Sequence, residues 1–588
     1  MGPDQLRQRA TALGVETRYQ DVEGRVHDTP EPTLRAVIEV LEADSCGDAP
    51  IHEPVVVVGG PDGSWHDGDV GAARAAELVL VDGTTMALPV EHRRVTLPVD
   101  VPFGCHLLHL GGPDGDAEST VVVAPPAMPR HAHLAGRAGL FVPAYALWDR
   151  PAPLPSFGHL AALAERLPAL GLDVLFTLPL YAAFLLDVPF DPSPYAPMSR
   201  LHWNEVYLDE AGLPAAEVPA IGDAIDWRTL ARRRRQQLLS AARDLDAPMQ
   251  AALDDHVRTH PDVAEYARFR VERPDPIDAE HPAELVRRSH LLAQLLAADQ
   301  LGRIEGPGRA ALALDLPIGS HPAGFEMWAH GELFAAGMTV GAPPDALFAG
   351  GQNWGFPPSL PGIGRRRGHL LWRQLVRRAG EHCSVLRIDH VMGVHRLWWI
   401  PEGAAATDGT YVRYPGEELL AVIAAEAAAT ATTIVGENLG TVPAEVCAAL
   451  ARWDALGLHE EQFHLHQARL EPIPARSVAG VRTHDMAPFA AVAAIDDLTP
   501  YRRLLAAERG RPVPDGTPAL LDAILERLAA SDAYLVLADL EDLRGGREPH
   551  NEPGRVLPTT WRRRLPAPIS DMLCADVRRR ARLLGRRS

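Results

Sequence analysis

From about residue 138 onward, short apolar runs alternate with stretches whose apolar positions recur every three to four residues, and this rhythm limits the fold more than any other feature. Phe157, Leu160, Leu163, Leu167 and Leu170 share one helical face, Gly171 ends the helix, and Val174-Leu175-Phe176-Thr177-Leu178 follows as a strand. A helical stretch ending near Leu301 precedes Ala311-Leu312-Ala313-Leu314-Asp315, and Leu370, Leu371, Leu375 and Val376 mark the helix before Val385-Leu386-Arg387-Ile388-Asp389. A helix from Pro415 to Ala428 leads into Thr433-Ile434-Val435-Gly436-Glu437, and Pro443 opens another that carries Val446, Leu450 and Trp453. The strand Tyr534 to Asp539 is followed by a last helix read from Pro568 to Leu584. Strands alternating with helices imply parallel βαβ units. Several strands end in an acid (Asp315, Asp389, Glu437, Asp485), as in a (β/α)8 barrel, where catalytic residues come from the C-terminal ends of different strands. A doubly wound sheet is the competing architecture, but no G-x-G-x-x-G turn supports a dinucleotide site.

The expected fold is therefore α/β: a (β/α)8 TIM barrel with helical insertions, preceded by a small helical plus β-sandwich-like region. Residues 1–50 read as an N-terminal helical segment. Residues 51–130 read as a small antiparallel β-domain, built from runs such as Val55 to Val58, Leu78 to Val81 and Thr120 to Val123 broken by turns such as Gly59-Gly60-Pro61-Asp62-Gly63. Residues 131–588 hold the barrel. A barrel alone needs about 250 residues, so insertions are required, the main one a helical segment at about 205–300. Arg232-Arg233-Arg234-Arg235 lies within it and reads as a solvated helix face.

The formal charge of −20 argues against nucleic-acid and anionic-membrane partners. All 57 basic residues are arginine, which excludes Walker A loops, pyridoxal Schiff bases and lysine nucleophiles. The five cysteines (Cys46, Cys105, Cys383, Cys447, Cys574) are scattered and never form C-x-x-C, so disulfide frameworks and cysteine zinc sites are not expected. No signal-peptide pattern opens the sequence, and no run reaches the roughly 18 apolar residues of a membrane span, so a cytoplasmic protein is expected. His459, His464 and His466, like His131 and His133, read as ordinary hydrogen-bonding histidines, and no metal or cofactor is expected.

Within Leu386-Arg387-Ile388-Asp389-His390, alternation places Arg387 and Asp389 on one face, where the cation keeps the carboxylate ionised, as a nucleophile must be. The same residues also fit a structural ion pair at a strand end. Glu437 and Asp485 stand at comparable places, each 48 residues beyond the acid before it. Two carboxylates flanking a scissile bond, one charged and one protonated, are the apparatus of glycoside cleavage.

The residues around these acids resemble those of the amylomaltases, the 4-α-glucanotransferases of the α-amylase superclan, from about residue 138 to 565. Arg387-Ile388-Asp389-His390 resembles the family's nucleophile motif, Gly436-Glu437-Asn438-Leu439-Gly440 its general-acid motif, and Thr483-His484-Asp485 its third-acid motif. Ser193-Pro194-Tyr195, Asp315-Leu316-Pro317-Ile318, Gly341-Ala342-Pro343-Pro344-Asp345, Gly351-Gln352-Asn353-Trp354-Gly355, Asn551-Glu552-Pro553-Gly554 and Trp561-Arg562 are similar to further family segments. The first 130 residues resemble the extra β-domain of some bacterial members. The resemblance implies a retaining transfer among maltooligosaccharides without a cofactor, with Asp389, Glu437 and Asp485 catalytic. It further implies that Arg387, His484, Tyr195, Asp315, Gln352, Trp354, Asn438 and Asn551 bind substrate, Tyr195 by stacking and Trp354 by covering the acceptor side. An α-glucan hydrolase and a weakly active glucan-binding accessory protein are the alternative readings. The chain departs from the family pattern at Asn438, where aspartate is usual, and at Glu552 and Thr560. Trp398-Trp399 fits either a sugar site or core packing. Oligomeric state is not legible.

Overall fold

A computed structural model describes residues 2–21, 24–45, 52–61, 68–113, 115–219, 222–345, 348–440 and 442–585. Eight strands form one sheet: β1 (Arg137–Phe141), β2 (Val174–Phe176), β3 (Ala311–Leu316), β4 (Val385–Ile388), β5 (Thr433–Gly436), β6 (Gly457–Glu460), β7 (Ser477–Gly480) and β8 (Leu535–Asp539). Their order is β5-β4-β3-β2-β1-β8-β7-β6, so chain neighbours are sheet neighbours except β5 and β6, which stand at the two ends, and β8 returns to β1. The β1–β2, β2–β3, β1–β8, β7–β8 and β6–β7 pairs are parallel, with Gly139 facing both Val174 and Leu537. This is the strand order of a (β/α)8 TIM barrel, as the sequence rhythm implied. The strands are buried almost throughout, which is why they read as continuous apolar runs rather than as alternating ones.

The chain divides into two compact units. One comprises His131–Ala329, His382–Arg387 and Leu456–Ser588, and includes the insertion between β2 and β3. Its helices are Trp227–Ala241, Ala247–Thr259, Pro261–Glu272 and Ala283–Leu301. The arginine run in this insertion is not a solvated face. Only Arg232 is exposed; Arg233, Arg234 and Arg235 are buried. Three consecutive residues sweep most of a helix circumference, so they cannot all face water once the helix packs on several sides. Their guanidiniums are matched by acids from neighbouring segments: Arg233 and Arg234 by Glu210, and Arg235 by Asp278 at 2.7 Å and by Ser289. The final helix is also corrected, since the chain leaves helical geometry at Leu573-Cys574 and forms Ile569–Met572 and then Ala575–Leu584. Arg579 and Arg580 of the second helix pair with Asp522.

The other unit comprises Met1–Arg130, His330–Glu381 and Ile388–Ala455. Its β-domain has a five-stranded sheet (Val55–Gly59, Gly115–Ala124, Gly104–Gly112, Ala75–Val79, Thr85–Leu88) and a three-stranded one (Gly68–Asp69, Arg94–Val95, Val90–Glu91). Val58, Leu78, Val95, Leu108, Leu110 and Val121 are among the residues of their common core. An antiparallel domain was expected, yet Val55–Gly59 pairs in parallel with Gly115–Ala124. A parallel pair needs a long crossover, and everything between those two strands supplies it. Turn residues Asp62 and Gly63, and Cys46, lie outside the described residues.

The N-terminal segment packs on a four-stranded sheet formed by Gln352–Asn353, Met338–Ala342, Arg396–Pro401 and Thr410–Arg413. Glu16 pairs with Arg396 and Arg413, and the Tyr19 ring meets Trp398 edge-on at 4.8 Å. Trp398 and Trp399 are fully buried and belong to the core.

Removing one partner of a buried ion pair costs about 3–5 kcal/mol, because the other charge is left uncompensated. Arg235→Leu strands Asp278, so it is expected to lower stability by about that amount in chemical denaturation; a change below about 1 kcal/mol would show that the pair is solvated in solution.

Candidate active site

The candidate residues form two clusters, one in each compact unit. In the unit that contains Ile388–Ala455, Asp389 directly follows β4 and is half-buried. The chain then turns sharply: His390 takes a left-handed conformation (φ 47°) before the single turn Val391–Val394. For a non-glycine residue that conformation costs about 1–3 kcal/mol and persists only where surrounding contacts enforce it.

Those contacts come from Glu437. Its backbone N–H donates to the Ile388 carbonyl (3.0 Å), its carbonyl accepts from Val391 N–H (3.0 Å), and its Oε2 accepts from His390 N–H at 2.9 Å. The last bond places the Glu437 carboxylate within about 5.3 Å of the Asp389 Cα, given standard peptide dimensions. Gly436 permits this junction, because a Cβ there would come within 2.8 Å of the Val391 side chain. Burial pushes the His390 imidazole down to about 4, so it is neutral at pH 7 and adds no cation beside Glu437.

The His390 ring meets Trp354 edge-on, with centroids 5.1 Å apart. The Trp354 segment is tied to Met338–Ala342 by Trp354 N–H to Val340 O (2.9 Å) and Val340 N–H to Phe356 O (2.8 Å). Trp354 Nε1 donates to Gln352 Oε1 at 3.4 Å. Gly351 precedes them with φ 68°, and a Cβ there would lie 2.9 Å from the Ala342 carbonyl, so glycine is required. Asn438 is half-buried directly after Glu437.

In the unit that contains Leu456–Ser588, the Asp315 carboxylate near the end of β3 is shared by two donors. Arg387 Nη1 reaches Oδ1 at 2.5 Å and the Tyr195 hydroxyl reaches Oδ2 at 2.6 Å. The Tyr195 ring lies parallel to the His484 imidazole (centroids 5.0 Å, 9°), which in turn stacks on Phe141. His484 Nε2 is 3.2 Å from Asp485 Oδ2, and Asn551 Nδ2 donates to Asp485 Oδ1 at 2.6 Å. The Asp485 side chain remains 45% exposed. Its crowded surroundings would raise its pKa, but His484, Asn551 and Arg387 outweigh that effect and hold it at about 2. Asp485 does not end a strand: β7 stops at Gly480, and the acid lies five residues beyond, in an irregular turn.

Each cluster, taken by itself, brings carboxylates, an aromatic face and polar donors together at or after the C-terminal end of a strand, which suits the recognition of sugars. The family model described as 4-alpha-glucanotransferase matches residues 276–570. A 4-alpha-glucanotransferase of Mycobacterium bovis is 30% identical, over 97% of this chain and 95% of its own length. The chain belongs to the 4-alpha-glucanotransferase family. This is a family of enzymes of the glycoside hydrolase type. The Haemophilus influenzae 4-alpha-glucanotransferase is 25% identical over 82% of this chain and 79% of its own. The crystal structure of amylomaltase from Corynebacterium glutamicum has the same fold, with a TM-score of 0.84, 21% identity and full coverage of both chains.

Two residues beside the candidate cluster have no role assigned from the sequence, Trp561 being read only as part of a motif and His550 not at all. Trp561, itself left-handed (φ 56°), leans on Tyr195 and His484 at 5.9 and 6.3 Å. His550 accompanies Asn551 and is anchored between the Tyr145 hydroxyl (3.0 Å) and Arg563 (3.1 Å). Neither assembly leaves a short-range signal, because Tyr195 and Tyr145 lie more than 350 residues before Trp561 and His550, the side chains they meet.

Asn551→Ala deletes a donor to the Asp485 carboxylate, so the Asp485 titration is expected to move up from about 2. Because this folded-state pKa lies below the ordinary 3.8, the stabilisation from ionised Asp485 is complete above that value and lost as pH falls through about 2. The His484 ring resonances, followed against pH, report the shift; an unmoved titration would mean that the Asn551 contact is absent in solution.

Proposed function

We propose that the chain transfers α-1,4-glucan segments between maltooligosaccharides by retaining double displacement. The observation that carries this reading is the junction of β4 and β5, where the Glu437 carboxylate is held on the peptide that follows Asp389. A retaining pair needs its carboxyl groups about 5–5.5 Å apart, and this attachment keeps the two acids close.

Asp389 attacks the anomeric carbon, the bond to the leaving glucan oxygen breaks, and a β-linked glucosyl ester forms. Glu437 supplies the proton to the departing oxygen. With Oε2 accepting from the His390 N–H, the proton of the neutral acid resides on Oε1. Glu437 then takes the proton from the 4-hydroxyl of an acceptor sugar, which attacks the ester, restores the α-linkage and frees Asp389. Asp485, kept ionised, accepts hydrogen bonds from donor-sugar hydroxyls, assisted by His484 and Asn551. Tyr195 offers a sugar-stacking ring, Arg387 and Asp315 hold that ring's hydroxyl in place, and Trp354 with Gln352 covers the acceptor side. Asn438 contacts sugar as a neutral amide. The four cysteines among the described residues are all free, and no helix among those residues is long and apolar enough to cross a membrane. The free cysteines suit a reducing compartment, which favours a cytoplasmic enzyme.

Incubation with maltotriose should yield glucose together with longer maltooligosaccharides and no rise in total reducing ends. A rise would make the enzyme a hydrolase, and no products would remove both enzyme readings. Asp389→Asn should lower turnover by at least about a thousandfold, as loss of a covalent nucleophile does, with the melting temperature unchanged; retained activity would show that the nucleophile lies elsewhere.

A further inference from the structure

We propose that Arg482 is a positioning residue that holds the turn bearing His484 and Asp485 in the shape that binds the donor sugar. The inference rests on the glucan-transfer reading of that turn and adds the residue that sets its geometry.

Between β7 and the helix Phe489–Ile495 the chain crosses eight residues without regular structure, and His484 and Asp485 lie in the middle. Ordering such residues costs backbone entropy, so the segment must be anchored to the structure around it. Arg482, the second residue of this segment, is buried. Its Nη1 donates to the carbonyls of Thr483 (3.0 Å) and Met486 (3.1 Å), the two residues that bracket His484-Asp485. One guanidinium nitrogen therefore ties both ends of the turn.

The rest of the guanidinium is anchored to β8 and the short helix after it. Nε donates to both oxygens of Asp542 (3.1 and 2.9 Å), and Nη2 to Asp539 Oδ2 at 2.7 Å. Asp542 Oδ1 also accepts from the Phe489 N–H at 2.8 Å, so the same carboxylate fixes the point where the turn ends and the next helix begins. Asp539 Oδ1 accepts from the Glu541 N–H (2.8 Å), which sets the orientation of the whole anchor. The planar five-donor fork of arginine can serve two carboxylates and two carbonyls at once. A lysine, a compact point charge with three donors, cannot. The anchor thus transmits the position of the β8 end to the two side chains that face the sugar, without touching the sugar itself.

The test separates geometry from charge and from stability. In the Asp389→Asn background, where substrate is not consumed, maltotriose binding is measured by calorimetry with Arg482 intact, with Arg482→Lys, and with Arg482→Met combined with Asp542→Asn. The lysine variant retains a cation against Asp539 and Asp542, and the double variant removes one charge of each sign, so each avoids an unmatched arginine deletion. Arg235→Leu, destabilising but remote from the turn, is the control. Arg482→Lys and the double variant are expected to weaken maltotriose binding about tenfold or more while the control binds like its parent. In the active background, Arg482→Lys should raise KM for maltotriose in the same proportion. Binding within twofold of the parent in both Arg482 variants would overturn the proposal, as would equal weakening in the Arg235→Leu control. Failure of the parent itself to bind maltotriose would overturn the glucan reading of the turn, and this proposal with it.

Discussion

The hydrogen bond from the His390 N–H to Glu437 Oε2 is the contact on which the proposed chemistry depends. Its donor is a backbone N–H, so among side chains only the Glu437 carboxylate is a partner in it, and it accompanies a left-handed turn directly after β4. That turn is enforced from both sides: Glu437 exchanges backbone hydrogen bonds with Ile388 and Val391, and the side chain of Val391 fills the space that Gly436 leaves open. The strain at His390 is repaid by these links, and the result is two carboxylates presented by adjacent strand ends. Parallel strands are well suited to this, because neighbouring C-terminal ends release their chains on the same side of the sheet.

Arginine carries every structural cation here, and much of it is buried. Arg200 binds Glu326 and the Ile318 carbonyl, Arg235 binds Asp278 and Ser289, Arg482 binds Asp539 and Asp542, and Arg563 binds Glu541. Buried ion pairs are poor sources of net stability, since desolvation offsets much of the attraction. Their value lies in direction: a planar guanidinium fixes the orientation of the carboxylates and carbonyls around it. In this chain such anchors underlie irregular segments, including the turn that carries Asp485 and the stretch that follows Tyr195. Regular secondary structure could not hold those residues, because the site lies where the strands have ended.

The elements that were legible share one property, a local signal. Gly171 ends its helical segment with φ 78°, and the apolar runs at Val174, Ala311, Val385, Thr433 and Leu535 are all barrel strands. Misread elements lacked that property. Arg232 to Arg235 looked solvated because nothing nearby in sequence reveals that Glu210, Glu205 and Asp278 close around them. Asp485 read as a strand end because Val481-Arg482-Thr483 is compatible with extended chain, whereas its actual support comes from Asn551, 66 residues on, and from Arg482. The parallel pairing of Val55–Gly59 was likewise invisible, since register between the first and last strands of a domain depends on everything between them.

By itself the sequence determined the α/β barrel rhythm, the exclusion of lysine-dependent cofactor classes and, through motif identity, the family and the acids proposed for its site. Periodicity and residue type suffice for those, because they express burial and chemistry one segment at a time. Only the tertiary structure decided how the acids are held: the clamp of Glu437 on the His390 peptide, the Tyr195–Asp315–Arg387 linkage and the arginine anchor under Asp485. Each joins residues 47 to 120 positions apart, or a side chain to a backbone group whose direction is set by the fold, and no local pattern encodes such a meeting.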